Sequence, residues 1–369
     1  MKMKIWIPVL SMIFWLVACG SFNENMDNVI ADKKIRPFAI RVTPAEAMPG
    51  DTVIAELFIW DAGQAYTVDW SLGLGYSIGN YGQGESVEKM LDLDSMALEV
   101  GPGALKIKFV VPTGENNPIT HSPMLPEQLN IPGNENGGLY ARSEIVHMLD
   151  SLTTFPNSWG VAIEAFGTPL YIQAQVISGD FKLEVMKNLT VRYAKKLESG
   201  ERISSVNENP RMDSLGWITV HEKGVVNPAN IAGLSSDTVW YPLEHDAIFA
   251  QLQVNSLAVS RENSYFVLIQ SDSAQRYLSP NQIEHSELLQ YQWFFTNLMP
   301  EGDEWSKQLQ LEFFDGNSSA PLAHVILPQS DSEREFALHI VLRDNRPEWQ
   351  MQNSAGIDFV QFHGQLEYQ

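Results

Sequence analysis

Alternation of apolar and polar residues over short runs dominates the chain after about residue 35, and this two-residue period predicts half-buried antiparallel strands. In the stretch 38–60, two such runs flank the turn residues Met48-Pro49-Gly50-Asp51. A second pair of runs lies on either side of Ser178-Gly179-Asp180. The first half of the chain is therefore predicted to form antiparallel strands at 38–60, 66–72, 104–112 and 169–194.

The pattern restarts after the polar, charged stretch 195–210, which ends in Pro210. Its order repeats that of the first half: a strand ending in tryptophan (66–70 and 289–293), a strand ended by proline (105–112 and 322–328), and a closing pair of strands (169–194 and 335–368). This shared order predicts that the two halves are diverged copies. Strands of the second half are predicted at 245–256, 264–270, 287–296, 309–314, 321–328, 335–344 and 358–368.

Two stretches break the regularity. The first, 113–160, is rich in proline and contains one short helix predicted around Ser143 to Leu152, so it is either a functional excursion or a mobile insertion. The second, 73–85, is a glycine-rich loop, and the residues from Glu85 to Leu91 after it fit a short helix.

Short alternating strands, turn residues between them and few helices predict an all-β fold of two tandem immunoglobulin-like (Ig-like) antiparallel β-sandwiches. A tryptophan on the third strand is typical of such a sandwich, in which the indole fills the core. The disulfide that often accompanies it is absent, so fibronectin-like or related topologies stay open. The predicted boundaries are 36–197 for the first sandwich with its insertion, 198–210 for a linker and 211–369 for the second sandwich.

The first eighteen residues follow another pattern. Lys2 and Lys4 precede an apolar run from Ile5 to Val17, which has the length of a signal-peptide core and is too short to span a bilayer comfortably. The run ends in Leu16-Val17-Ala18-Cys19, which contains the only cysteine of the chain. This order of residues resembles the lipobox of bacterial lipoproteins.

The resemblance implies that Cys19 carries diacylglycerol, that the chain is cleaved between Ala18 and Cys19, and that the new amino group is acylated, for example with palmitate. Two or three acyl chains anchor a protein stably in a membrane where one does not. Residues 19–35 are then predicted to be the lipidated cysteine and a flexible tether. An ordinary cleaved signal with an incidental cysteine is the alternative. In an enterobacteria-like Gram-negative host, Gly20 implies sorting to the outer membrane, facing the periplasm or the medium.

Charge and cysteine content narrow the choice of partners. The formal net charge of −21 becomes −23 once Lys2 and Lys4 leave with the signal. Such acidity argues against nucleic acid and against anionic lipid headgroups as partners. With Cys19 lipidated, no thiol remains for a disulfide or a thiolate metal site, so the cores alone must hold the fold.

No motif of a known catalytic chemistry is present: the sequence contains no HExxH helix, no G-x-S-x-G elbow and no P-loop. No cofactor and no metal site is predicted. Acidic groups that could bind Ca²⁺ lie outside any EF-hand spacing, at Asp92, Asp94 and Glu99 and at Asn134-Glu135-Asn136. The pairs His245-Asp246 and Glu284-His285 are interpreted as exposed positions beside strands, with metal ligands or acid–base groups that meet in space as the alternative. Arg343-Asp344 and Arg346 are interpreted as paired charges at a strand end.

Aromatic residues predicted to lie in loops are the candidate binding residues. Aromatic side chains beside a rigid sandwich can stack on sugar rings or anchor a protein partner, although they can also cap the end of a core. The candidates are Tyr76, Tyr81, Trp159, Trp240, Tyr241 and Trp305.

Several segments also resemble a family of poorly characterised bacterial outer-envelope lipoproteins with tandem Ig-like domains. The segments are IRPFAIRVTPAEAMPGDTVIAELFIWD (35–61), LLQYQWFFTN (288–297), HVILP (324–328) and ALHIVLRDNRPEWQ (337–350). The sequence departs from the family at Asn345-Arg346-Pro347-Glu348, where a glycine-rich turn is usual. The resemblance implies a fold and a location and no activity.

The sequence thus favours a lipid-anchored, non-enzymatic envelope protein that presents a protein- or glycan-binding surface. Two alternatives stay open. One is a carbohydrate-active or other hydrolytic accessory domain that uses acidic residues of 113–160, and the other is a structural spacer in an envelope complex.

The Cys19→Ser variant tests the anchor. We expect it to lose incorporation of labelled acyl chains and to show altered precursor processing, because the thioether bond can no longer form. Normal labelling and normal detergent partitioning of the variant would contradict the lipid assignment.

Overall fold

The computed structural model describes residues 29–30, 35–61, 63–75, 89–122, 125–130, 138–156, 167–193, 198–200, 207–220, 238–243, 250–259, 264–271, 274–278, 284–297, 310–312, 321–326, 334–344 and 356–368. Most of these residues lie in strands. Within them, no helix has the length and apolar character needed to cross a membrane.

Short strands and one α-helix make up the described part of the first half. In chain order they are β1 (Val29–Ile30), β2 (Arg36–Thr43), β3 (Glu46–Ala47), β4 (Thr52–Trp60), β5 (Thr67–Leu74), β6 (Lys89–Asp92), β7 (Glu99–Val100), β8 (Lys106–Val110), β9 (Gln128–Leu129), β10 (Tyr140–Ala141), α1 (Arg142–Ser151), β11 (Thr168–Ser178) and β12 (Phe181–Val191). Single turns of 3₁₀-helix lie at Asp94–Met96, Pro102–Ala104, Gly114–Asn116 and Pro118–His121.

The first sandwich consists of two sheets with the orders β2-β4-β8-β7 and β3-β12-β11-β5-β6. Neighbouring strands run antiparallel, except that β3 runs parallel to β12. Alternate residues of each strand face inward, as the period-two pattern predicts. Trp70 on β5 and Phe109 on β8 are buried in the resulting core, and the indole Nε1 of Trp70 donates a hydrogen bond to the carbonyl of Ala104 at 2.7 Å.

The described part of the second half consists of strands. They are β13 (Ser214–Val220), β14 (Thr238–Pro242), β15 (Ala250–Val259), β16 (Ser264–Gln270), β17 (Arg276–Leu278), β18 (Glu284–Ser286), β19 (Gln290–Asn297), β20 (Gln310–Glu312), β21 (Leu322–Ile326), β22 (Arg334–Arg343) and β23 (Ile357–Tyr368).

The second sandwich repeats most of the strand order of the first, although β14 has no counterpart there and β1 runs parallel to β19 whereas β6 runs antiparallel to β5. Its sheets are β14-β13-β16-β21-β20 and β1-β19-β22-β23-β15, and β15 runs parallel to β23 just as β3 runs parallel to β12. The tryptophan strands β5 and β19, the proline-ended strands β8 and β21, and the closing pairs β11-β12 and β22-β23 occupy equivalent places. The all-β, Ig-like prediction and the predicted correspondence of the strands are confirmed.

Two shorter predictions have different outcomes. The helix predicted from Ser143 to Leu152 is present as α1, whose buried face of Ile145, Val146 and Leu149 joins the first core. The helix predicted from Glu85 to Leu91 is wrong for the residues that the structure describes, because β6 begins at Lys89 and pairs with β5.

The N-terminal segment that the structure describes belongs to both sandwiches. Strand β1, within the predicted tether, runs parallel to β19 of the second sandwich, with Val29 opposite Phe295. Ile35 is buried in the first core. The signal peptide, Ala18 and Cys19 lie outside the described residues, so the anchor stays a prediction.

An aromatic cluster joins the outer faces of two sheets, one from each sandwich. Phe38 on β2 lies 4.8 Å from Phe294 on β19, between ring centroids, and Phe58 on β4 stacks on Phe359 of β23 at 4.4 Å. His339 of β22 lies 4.7 Å from Phe38. We call this cluster the inter-sandwich contact, and its other buried members are Ala39, Val341 and Ile357, with Trp60 partly buried.

A charged group borders these rings. Arg41 donates to Glu56 within the first sandwich, at 2.9 Å and 2.7 Å, and to Asp358 of the second sandwich at 3.3 Å. The second carboxylate oxygen of Asp358 accepts the backbone N–H of Met212 at 2.8 Å. The charges are therefore paired where the two sheet faces remove them from water.

Residues of the predicted linker also contact both sandwiches. The Asn209 side chain donates to the carbonyl of Val42 at 2.8 Å and accepts the N–H of Ile357 at 3.0 Å. Gly356 packs so closely that a Cβ there would lie 2.7 Å from Pro210 and 2.9 Å from the Asn209 backbone. No side chain larger than hydrogen fits at position 356 without displacing the backbone.

Replacing Phe38 with alanine should lower the free energy of unfolding by about 3–5 kcal/mol, the usual cost of deleting a buried phenyl ring. Urea titration measures this change. Phe181→Ala is the matched control, since Phe181 is 71 % exposed and its loss should change stability by less than about 0.5 kcal/mol. Equal effects of the two variants would contradict a packed inter-sandwich contact.

Candidate binding site

Strand β14 carries Trp240, the tryptophan of the candidate set that the structure describes. Trp240 is 42 % exposed and its neighbour Val239 is 53 % exposed, on a strand whose five residues carry no charge. In the described sheet order β14 is an edge strand beside β13. An uncharged edge with exposed apolar side chains can bind another surface.

Tyr241, the next residue, has a different environment. Its ring packs against the second core, with its centroid 6.1 Å from that of Phe362, and this burial raises the pKa of its phenol. Both Trp240 and Tyr241 lie on a strand, so the prediction that they lie in a loop is wrong. Tyr76, Tyr81, Trp159 and Trp305 lie outside the described residues.

Asp92 and Asp94, two of the residues predicted as calcium candidates, accept hydrogen bonds from backbone amides. Asp92 accepts the N–H of Asp94 at 3.1 Å, and Asp94 accepts the N–H of Trp70 at 3.2 Å. Partial burial, with the nearby charges of Asp92 and Asp69, raises the pKa of Asp94 against the lowering effect of that hydrogen bond. Glu99 lies on β7 and is exposed. Asn134-Glu135-Asn136 lie outside the described part of the chain.

The described members of the polar pairs make contacts with other side chains. Glu284 on β18 pairs with Arg276 at 3.7 Å in an exposed position, and the His285 ring stacks on Tyr277 at 5.8 Å. His245 and Asp246 lie outside the described residues. Among the residues that the structure does describe, no group of three His, Cys, Asp or Glu side chains is placed to hold a metal ion.

Arg343 and Asp344 lie at a strand end, as predicted; Asp344 is buried and Arg343 is partly buried. Asp344 accepts the N–H of Gly356 at 2.6 Å and the Asn207 amide at 3.3 Å. The Lys187 side chain of the first sandwich interacts electrostatically with the Arg343 guanidinium and with the Asp344 carboxylate. Burial lowers the pKa of Lys187 and raises that of Asp344, while their mutual attraction opposes both shifts. Arg346 lies outside the described residues.

Sequence reasoning missed Lys187 and His339. Lys187 stands in the inward series of β12, between Val185 and Leu189, where an apolar residue is usual. His339 interrupts the apolar run Phe336–Leu342 of β22. The signal in the sequence was a polar residue at a position where the pattern calls for an apolar one, in the alternating series of β12 for Lys187 and in the continuous apolar run of β22 for His339.

The described acidic groups of the insertion serve its attachment to the sandwich. The Tyr193 hydroxyl donates to Asp150 at 2.5 Å and accepts from the Asn117 amide at 3.1 Å. Burial and the bond to Asp150 raise the pKa of Tyr193 well above its usual range. Glu144 accepts the N–H of Ala141 at 2.8 Å and so caps α1. The Asp150 and Glu144 carboxylates therefore have structural partners in the fold.

No protein-family model and no curated protein matches this chain. Among solved structures, chimeric titin Z1Z2 with an exogenous decorin KLER peptide is 9 % identical at a TM-score of 0.21, covering 92 % of this chain and 99 % of that one. Mouse cadherin-23 EC22–24 is 10 % identical at a TM-score of 0.19, covering 92 % and 67 %. A nucleoside hydrolase-related hypothetical protein from Saccharophagus degradans is 17 % identical at 0.20, over 34 % of this chain and 24 % of that one.

Tyr193→Phe tests the attachment of the insertion. Removing the hydroxyl takes one hydrogen bond from the Asp150 carboxylate and one from the Asn117 amide, so we expect a loss of about 1–3 kcal/mol of stability. A double-mutant cycle with Asp150→Asn, followed by urea unfolding, should show coupling of at least about 0.5 kcal/mol. Additive effects would contradict the hydrogen bond between the two side chains.

Proposed function

We propose that this chain is a lipid-anchored protein of a bacterial outer membrane that catalyses no reaction and presents a protein- or glycan-binding surface on two joined sandwiches. The exposed Trp240 on the uncharged strand β14 is the observation that carries the proposal. The anchor is Cys19, as the lipobox-like sequence implies.

The position of β14 in the fold supports its role. The inter-sandwich contact uses β2 and β4 of the first sandwich and β19, β22 and β23 of the second. Strand β14 belongs to the other sheet of the second sandwich, together with β13 and β16. Its exposed side chains therefore do not compete with the contact between the sandwiches.

The chemistry of the surface supports a protein or a glycan as the partner. A tryptophan offers a large rigid face for stacking on a sugar ring or for entering a pocket of another protein. The acidic net charge of the chain opposes nucleic acid. Membrane contact then depends on the lipid anchor.

A structural spacer is the second candidate, because the inter-sandwich contact gives the two domains a fixed relation. In that case the contact, rather than Trp240, would be the functional feature. The hydrolytic alternative has no support from the described carboxylates of the insertion, which bind a phenol and a backbone amide.

Immobilised wild-type, Trp240→Ala and Phe181→Ala chains test the proposal. Each is exposed to detergent-solubilised envelopes of the host, either untreated or digested with protease. We expect the wild type and Phe181→Ala to retain the same component and Trp240→Ala to retain about 30-fold less, the loss typical of a tryptophan at the centre of an interface. Protease-sensitive retention would identify a protein and protease-resistant retention a glycan.

Equal retention by all three chains would contradict the role of Trp240. Retention by none of them would contradict a binding surface on this part of the chain and leave the spacer as the better account.

A further inference from the structure

The inter-sandwich contact contains a histidine, His339, among apolar rings. The free side chain of histidine changes its charge near neutral pH. His339 is fully buried, with 0 % of its surface exposed. Its ring centroid lies 4.7 Å from that of Phe38, 5.6 Å from that of Trp60 and 6.1 Å from that of Phe359. Two of these rings belong to the first sandwich, so the imidazole is enclosed only while the sandwiches are in contact.

Neither ring nitrogen of His339 has a hydrogen-bond partner among the residues that the structure describes. Buried polar groups in native proteins are nearly always hydrogen-bonded, and an orphaned one calls for an explanation. A leucine or phenylalanine at this position would avoid the cost of the bare nitrogens. What only histidine adds is a charge that appears as the pH falls through the range of its free side chain.

We propose that His339 makes the inter-sandwich contact sensitive to pH, so that protonation at mildly acidic pH favours separation of the two sandwiches while each keeps its own core. An imidazolium needs acceptor partners for both N–H groups, and the described residues that enclose it supply none. The surrounding ring faces attract a cation but do not replace the water that a separated His339 would bind.

The direction of the effect follows from the environment. Burial, with a smaller contribution from His363, lowers the pKa of His339 to about 3 in the closed arrangement. The contribution of His339 to closure is therefore complete above its free-state pKa of about 6.5 and is lost progressively as the pH falls from there towards 3.

Other charged groups surround the contact and must be separated from His339 in any experiment. On the neighbouring elements these are Arg36 and Arg41 of β2, Glu56 of β4, and Asp358 and His363 of β23. On its own strand they are Glu335 and Arg343, and at the far end of the contact they are Lys187, Glu287 and Asp344. Burial raises the pKa of Asp344, so that group binds a proton in the closed state and opposes the effect of His339.

A thiol probe separates these contributions. In the Cys19→Ser chain, Ala39→Cys places the only thiol inside the contact, and Ala174→Cys places it in the first core as a control. Labelling by 4,4′-dithiodipyridine is measured at pH 7 and pH 5 and divided by the rate for the urea-unfolded chain at the same pH. Each probe is combined with native His339, with His339→Leu, with His339→Gln, and with His147→Leu as a matched exposed-histidine control.

Labelling of the thiol at position 39 should increase between pH 7 and pH 5. The increase should be about 25-fold larger with native His339 than with His339→Leu or His339→Gln. This is the ratio expected for a group whose pKa is about 6.5 when free and about 3 in the closed arrangement. The common contributions of Asp344, Lys187 and the carboxylates cancel in this ratio. The His147→Leu chain should behave as the native one, and the thiol at position 174 should show no increase that depends on His339.

Two results would overturn the proposal. One is a ratio near one for both His339→Leu and His339→Gln, which would mean that the contact does not respond to this histidine. The other is an equal His339-dependent increase in labelling of the Ala174→Cys probe, which would mean that acid unfolds the first core instead of separating the sandwiches.

Discussion

Stacking of phenyl rings across two sheet faces, with Phe58 against Phe359 at 4.4 Å, holds the sandwiches in one arrangement. Each buried ring contributes about 1.5–3 kcal/mol through burial, and each aromatic pair adds about 0.5–1.5 kcal/mol. The pairing of Arg41 with Asp358 contributes less, because the desolvation of buried charges offsets much of their attraction. The rings therefore decide the stability of the contact, and the charges at its border fix its register. Asn209 of the linker donates to Val42 and accepts from Ile357, so it bonds to both sandwiches in this arrangement.

The contact also determines which sheets of the two sandwiches are covered. One sheet of each sandwich is covered, which leaves the sheet containing β14 available to a partner while the predicted anchor lies N-terminal to β1. Strand β1 pairs with β19, so a chain tethered through residue 19 would enter the fold at the second sandwich before it reaches the first. On the proposed function, the anchor and the exposed tryptophan are therefore attached to the same sandwich. The orientation of the second sandwich at the membrane would then set the orientation of strand β14.

The sequence predicted what depends on local pattern. Alternation located the strands that bury Trp70 and Trp293, and the Ser178-Gly179-Asp180 turn was found because Gly179 adopts a positive φ of 56° that favours glycine. The inter-sandwich contact was missed, although β4 ends in Leu57-Phe58-Ile59-Trp60, an apolar run that is typical of strands buried on both faces. Which second surface covers such a strand depends on contacts about 300 residues apart in sequence, such as that of Arg41 with Asp358, and no local pattern encodes them. The edge position of Trp240 was missed because it depends on which strands pair with β14, and in the described sheet its neighbour is β13.

Small-angle X-ray scattering of the chain from residue 20 onward at pH 7 tests most directly the claim that the two sandwiches form one body. We expect a pair-distance distribution with a single maximum and a radius of gyration close to about 20 Å, the value for one globular unit of this length. A distribution with two maxima and a clearly larger radius, as for two beads on a linker, would contradict the account.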